Sequence, residues 1–367
     1  MKKYLKPIII LLVLAGLIWT AYYFLKENPT VQQLTNLVFP PSEKIGGQLG
    51  EGGQTAGSNK KLLQSLTNEP ISDYWPNPRT GEIYYLNENG QVLKILNGSE
   101  ELINSQTLNK LNKIESSYDG NLLFARFDYP SSPIFSIFDI TTSNWKPLSA
   151  DTISAAWSPN SQELIFATSN SLNIVDFSSQ KSRKVLDLTQ KDINLSWLST
   201  STVLITTPTT SDLSSPIWSL NLLNKSLAAF LPDELGLTVT WFKNSDFGIK
   251  LNNENRSPRL SLIDKNGSTL LTFTFVTMPS KCLIDKDNIY CAVPKNIPAN
   301  LKLPEDYYKG SVYFDDTLYL INLSNGAVSE LQIENKGQVF DAEHLEIQNG
   351  KLLFKNRLNG KLYGLEL

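Results

Sequence analysis

The chain has 367 residues, 41% hydrophobic and 19% charged, with a formal net charge of −3. Beyond residue 27 it carries 29 basic against 35 acidic residues and no basic stripe, which argues against nucleic acid as a partner. The single histidine, His344, rules out imidazole-rich metal sites, and no sequence motif calls for a metal or a cofactor.

Residues 1–6 hold Lys2, Lys3 and Lys6, and residues 7–25 follow without a charge. At 1.5 Å per residue such a run spans roughly 28 Å, about the hydrocarbon thickness of a bilayer. Trp19, Tyr22 and Tyr23 cluster toward its far end, where amphipathic rings favour the interface. The lysine asymmetry places residues 1–6 in the cytoplasm, makes 7–25 a single-pass transmembrane helix, and sends the rest outside the cell membrane. A cleaved signal peptide would need a shorter apolar core and small residues at the cleavage site, and bulky residues stand there instead. Residues 26–59 contain Pro29, Pro40 and Pro41 and a glycine-rich run from Gly46 to Ser58, the composition of a flexible stalk.

From residue 60 to 367 an aromatic marker recurs: Trp75, Tyr118, Trp157, Trp197 and Trp241, at intervals of 39–44 residues. Hairpins near Cys282 and Leu345 continue the series, the last interval being lengthened by an insertion. A period of about 40–45 with several short strands per unit is the signature of propeller blades. In residues 153–188, four period-two runs are separated by polar pairs such as Asn160-Ser161 and Ser178-Ser179. The expectation is an all-β, seven-bladed β-propeller over 60–367. Its final unit has only three strands, and the segment 61–67 occupies a fourth-strand position ahead of the first unit. The ends should therefore close the ring by pairing, which removes an exposed sheet edge.

Trp157-Ser-Pro-Asn-Ser-Gln-Glu-Leu-Ile-Phe166 and Ser117-Tyr-Asp-Gly-Asn-Leu-Leu-Phe124 resemble the W-S-P-D-G-x-x-L-x-F pattern of WD-repeat-like propellers of the TolB type. Trp241-Phe-Lys-Asn-Ser-Asp-Phe-Gly-Ile249 is similar more loosely. The resemblance covers residues 60–367 and implies a fold without implying an activity.

Cys282 and Cys291 are the only cysteines. A two-residue turn at Lys286-Asp287 pairs Asp285 with Asn288 and sets Cys282 opposite Cys291 at a non-hydrogen-bonded position, where side chains approach most closely. Outside the cytoplasm such a pair is expected as a disulfide rather than as two buried thiols. Asp285-Lys-Asp-Asn288 lacks the glycine and distal glutamate of a calcium loop and reads as a plain turn, and Asp315-Asp316 reads as solvated turn charge. His344, with Asp341, Glu343 and Glu346 nearby, reads as a structural or channel-lining residue, because no nucleophile is marked beside it. No G-x-S-x-G, Walker, H-E-x-x-H or C-x-x-C motif occurs. The insertion at 294–311 is stiffened by Pro294, Pro298 and Pro304. Its segment Pro304, Glu305, Asp306, Tyr307, Tyr308 has two readings: a recognition loop built on one helical turn, or a cover over one end of the channel.

Together these features describe a membrane-anchored extracytoplasmic propeller acting as a non-catalytic binding scaffold for an envelope protein or a surface glycan. The alternative is an extracytoplasmic hydrolase or lyase acting on glycans, with carboxylates at the channel mouth. A map of the channel-facing residues separates the two.

Overall fold

Strands whose two faces are both apolar must be covered on both sides, and the chain meets that demand by stacking small sheets around a ring. The computed structural model describes residues 60–367 apart from 97, 130, 243, 244, 335 and 336. The tail at 1–6, the expected span at 7–25 and the stalk at 26–59 lie outside these; among the described residues no helix is long and apolar enough to cross a membrane.

Among the described residues the strands form seven sheets, covering 71–104, 113–147, 152–187, 194–235, 238–272, 282–330 and 342–366. In the first six, four strands pair antiparallel in chain order from the innermost outward. Seven hydrophobic clusters lie between the sheets, and each joins one sheet to the next. The last of them packs Leu353 and Leu362 of sheet 7 on Ile71, Tyr74 and Tyr85 of sheet 1, so the stack returns to its start. This is a β-propeller, and its core is the set of inter-sheet layers.

Sheet 7 takes its outer strand from the beginning of the described chain. Lys61–Ser65 runs antiparallel to Leu362–Glu366, pairing Leu63 with Leu365 and Ser65 with Tyr363. Ile333–Glu334 then adds in parallel to Lys61 and Leu62. Burial of Leu63 in the layer between sheets 6 and 7 accounts for the apolar character of this short strand.

The aromatic series is not structurally uniform. Trp157 and Trp241 close their innermost strands, Trp197 stands two residues before the end of its own, and all three pack toward the preceding sheet. Trp75 instead packs toward sheet 2, stacked on Tyr84 at 5.5 Å and edge-on to Phe138 at 6.5 Å. In sheet 2 the turn bond from the Ser117 N–H to the Leu122 carbonyl corresponds to that from Ser158 to Glu163. Ser116, not Tyr118, therefore holds the place of Trp157. Tyr118 lies in the turn beyond, where its ring carries Arg79 at 5.6 Å. Opposite Trp241 stands Gly248, where even a Cβ would come within 2.8 Å of the indole.

Candidate functional site at the channel mouth

The innermost strands of all seven sheets run the same way, so the ring has two distinct ends. The C-terminal ends of those in sheets 1–5, with His344 and Glu346 of sheet 7, line an open cavity of about 690 Å³. The first described residues join this same end: Lys61 lies past Leu365 along the last strand, and the Leu367 N–H reaches the Gly350 carbonyl. The insertion leaves Asn288–Pro294 and returns at Asp316–Asn322, at the opposite end.

The cavity is lined by Trp75, Trp157, Trp197 and Trp241, by serine and threonine hydroxyls, and by Glu115, Asp246, His344 and Glu346. His344 sits at a register shift in Ala342–Gln348 with φ 53°, a left-handed bulge that turns its ring toward sheet 1. There its Nδ1 meets the Asp73 carboxylate at 2.6 Å, its ring packs 4.8 Å from Tyr74, and its carbonyl accepts the Tyr74 hydroxyl at 2.5 Å. Burial alone would raise the Asp73 carboxyl and lower the His344 imidazole. Each moves the other in the opposite direction, leaving Asp73 below the usual carboxylate range and His344 raised to about 9. The imidazole is thus protonated at neutral pH. Its Nε2 faces Glu346 at 3.8 Å, beyond hydrogen-bonding distance. Both ring nitrogens face carboxylates.

The remaining carboxylates are held from outside the cavity. Glu115 accepts the Trp157 backbone N–H at 3.0 Å and faces Lys113 at 3.2 Å, and Asp246 faces Lys265 at 3.6 Å. Among the described residues the buried indole Nε1 atoms of Trp75, Trp197 and Trp241 have no hydrogen-bond partner, whereas that of Trp157 donates to the Glu115 carbonyl at 2.8 Å.

At the opposite end the insertion forms a strap. Glu305–Tyr308 makes one helical turn, and the Glu305 carboxylate accepts the Ser211 backbone N–H at 2.8 Å and its hydroxyl at 2.6 Å. Asn253 donates to the Leu303 carbonyl at 3.0 Å, and Arg357 to that of Tyr307 at 3.3 Å, so the strap is fastened to sheets 4, 5 and 7. Asp306 turns back to accept the Lys302 N–H at 2.8 Å. Pro304 and Tyr307 are buried, and Tyr307 stacks on Phe314. Of the five residues in the expected recognition segment, Tyr308 alone is exposed, at 59%. Pro304 and Tyr307 pack on the apolar rings beneath, and Glu305 and Asp306 are half-buried.

Beneath the strap lies a buried ionic cluster. Lys281 Nζ contacts Asp316 at 2.7 Å and Asp341 at 2.6 Å, all three fully buried, and Arg357 pairs with Asp341 at 2.8 Å. The guanidinium lies 4.1 Å from the Tyr307 ring and 4.9 Å from the Tyr313 ring. Burial pushes the Asp316 carboxyl up to about 6 against the pull of Lys281, with Asp341 adding to the rise. The expectation that Asp316 is solvated turn charge is corrected: its carboxylate also accepts the Ala342 N–H at 2.8 Å and belongs to the core. Asp315 next to it is exposed and pairs with Lys295 at 2.8 Å.

Cys282 and Cys291 are bonded, with Cα atoms 4.1 Å apart in the expected register, where Leu283 faces Tyr290 and Ile284 faces Ile289. The bond lies in the layer between sheets 5 and 6, far from solvent.

Comparison with known proteins gives the fold and no family. No family model matches the chain, and no curated protein matches it. Among solved structures it is similar to an oligogalacturonate lyase in complex with manganese, with 14% identity over 86% of this chain and 95% of the other and a TM-score of 0.54. An oligogalacturonate lyase from Vibrio parahaemolyticus gives 11% identity, 83% and 93% coverage, and a TM-score of 0.57. The WD40 repeats of RRP9 give 10% identity, 83% and 97% coverage, and a TM-score of 0.53. The neighbours are β-propellers. At such identities the likeness speaks for architecture alone.

Proposed function

We propose that the chain is a membrane-anchored propeller displayed outside the cytoplasmic membrane, serving as a non-catalytic scaffold that receives an envelope protein at its open channel mouth. The observation that carries this reading is the state of the one acid–base pair at the mouth. His344 and Asp73 satisfy each other, and the imidazole's second nitrogen faces a carboxylate rather than a nucleophile. Anchoring fits the same geometry, because the chain joins the propeller at the mouth end and a partner held there stays close to the stalk.

A glycan lyase or hydrolase is the competing reading, and the lining supports it poorly. An oligogalacturonate carries a carboxylate on each sugar, whereas this mouth presents Glu115, Asp246 and Glu346 against one imidazolium already spent on Asp73. The residues present do not fit a manganese ion: among the described residues no three His, Cys, Asp or Glu side chains group to hold a metal. A photo-crosslinking residue at Thr200, exposed on the mouth, should yield a discrete adduct with an envelope protein in intact cells, and one at Tyr308, exposed at the opposite end, should not. Release of new reducing ends or unsaturated uronates from cell-surface glycans by the purified full-length protein would overturn the reading.

A further inference from the structure

In sheets 2 to 6 the turn between the third strand and the outermost one lies at the mouth end and is built alike. An Asp or Asn side-chain oxygen accepts the N–H two residues on, which belongs to Thr141, Ser178, Leu223, Asn266 and Ser324 in turn. The turn asks nothing of the side chain at that place, and four of the five sheets put a polar one there. Sheet 4 puts a leucine there, 84% exposed. The fold does not account for it.

Register extends the apolar character from this tip into the rim. Leu227 pairs with Leu220, and Trp218 lies two residues before Leu220, so all three side chains look toward sheet 3. Leu220 is buried in the layer between the two sheets, whereas Trp218 and Leu227 stay 39% and 52% exposed. On sheet 3, Arg183 pairs with Ile174 of the same layer and Lys181 lies two residues before it, so both look toward sheet 4. The rim between the sheets thus has one apolar wall and one basic wall, with Lys225 beside Leu223 at the tip. Among the described residues Lys181, Arg183 and Lys225 form no ion pair. Asp176, across the strands from Lys181, instead accepts the hydroxyls of Ser178 and Ser179 at 2.6 Å.

Exposed leucine and tryptophan flanked by unpaired cations complement a surface that is anionic at its face and apolar beneath. The chain also enters the propeller at this end, at Lys61, so the rim faces the side from which the tether comes. We propose that the rim between sheets 3 and 4 docks on the anionic face of the membrane. Leu223, Leu227 and Trp218 enter the headgroup region, and Lys181, Arg183 and Lys225 meet lipid phosphates. The inference rests on the anchored reading and adds an orientation to it: the ring leans on one edge and its mouth stays clear for a partner. Each basic side chain at an anionic bilayer is worth about fivefold in binding, and salt screens that gain.

Both cysteines of the chain are engaged in the disulfide, so a cysteine at Ser226, exposed in the same turn, is a single thiol for a fluorophore. The full-length protein is reconstituted into vesicles of equal parts phosphatidylcholine and phosphatidylglycerol that carry a quencher at headgroup depth. The label at Ser226 should be quenched, and one at Tyr308, exposed at the opposite end, should not. Replacing Lys181, Arg183 and Lys225 together with glutamine should weaken docking on the order of a hundredfold. Leu223→Ser should weaken it about tenfold. Equal quenching at the two labels, equal quenching in phosphatidylcholine alone, or an unchanged triple variant would overturn the proposal. An adduct of an envelope protein with a crosslinker at residue 226, in place of quenching, would put an acidic protein there and overturn it too. If Ser226 stays unquenched while the protein resists extraction from the vesicles by alkaline carbonate, the docking falls and the anchored reading survives. Extraction of a protein whose Ser226 label had been quenched would do the reverse.

Discussion

Lys281→Met tests the buried ionic cluster most directly. Methionine approximates the lysine stem and leaves the packing against Phe314 and Tyr307 in place. What it removes is the one cation within 3 Å of both Asp316 and Asp341. Asp341 keeps Arg357 at 2.8 Å, so the uncompensated charge falls on Asp316, which is fully buried. Breaking a buried pair from one side costs about 3–5 kcal/mol. At roughly 2 °C per kcal/mol for a domain of this size, the melting temperature should fall by about 6–10 °C. Burial already holds Asp316 at about 6, and without Lys281 only the hydrogen bond from the Ala342 N–H opposes that rise. A carboxyl whose folded pKa lies above its unfolded value of about 3.9 withdraws stability as pH rises through the window between the two. The variant should accordingly regain stability on going from pH 7.5 to pH 5. Lys281→Met with Asp316→Asn restores neutrality, since an asparagine oxygen can still accept the Ala342 N–H, and should recover at least half of the loss. The assay is thermal unfolding followed by circular dichroism at both pH values. A single variant within 1 kcal/mol of the parent, or a double variant no better than the single, would refute the reasoning.

Three further outcomes are expected. His344 is raised to about 9, so its contribution, roughly 2–3 kcal/mol at most, is complete below about pH 6.5 and lost as pH rises through 9; Asp73→Asn should flatten the melting-temperature profile between pH 7 and 9.5, and an unchanged profile would show that the pair does not hold sheets 7 and 1 together. Replacing Cys282 and Cys291 with alanine opens a loop of sequence separation 9 and should cost about 2–3 kcal/mol, and peptides of the unreduced protein should show the two cysteines joined by mass spectrometry. Deleting residues 60–67 uncovers Tyr363 and Leu365 along an unpaired edge, and the truncated protein should aggregate at concentrations where the parent is monodisperse by light scattering; equal behaviour would mean that the strand adds nothing to closure.

The repeat was legible in the sequence because every unit solves the same local problem. Four short strands with polar turns and two apolar faces leave a period of about 40 residues, and the stacking of neighbours makes the pattern recur. The Cys282–Cys291 register was legible for a similar reason, because a two-residue turn dictates what faces what in a hairpin. Tertiary structure decided everything that depends on which end of a strand meets which neighbour. Asp73 and His344 are 271 residues apart and meet only because the ring closes. Lys281, Asp316 and Asp341 belong to three different strands or turns, and the burial that makes them a cluster is supplied by a strap whose path no local pattern encodes. Asp316 has the sequence context of a solvated turn and the environment of a core residue. Burial is a property of the assembled stack and not of the dipeptide. Trp75 shows the same limit: its spacing matches the other tryptophans, but which sheet it packs against was set by a register difference between sheets that composition does not register.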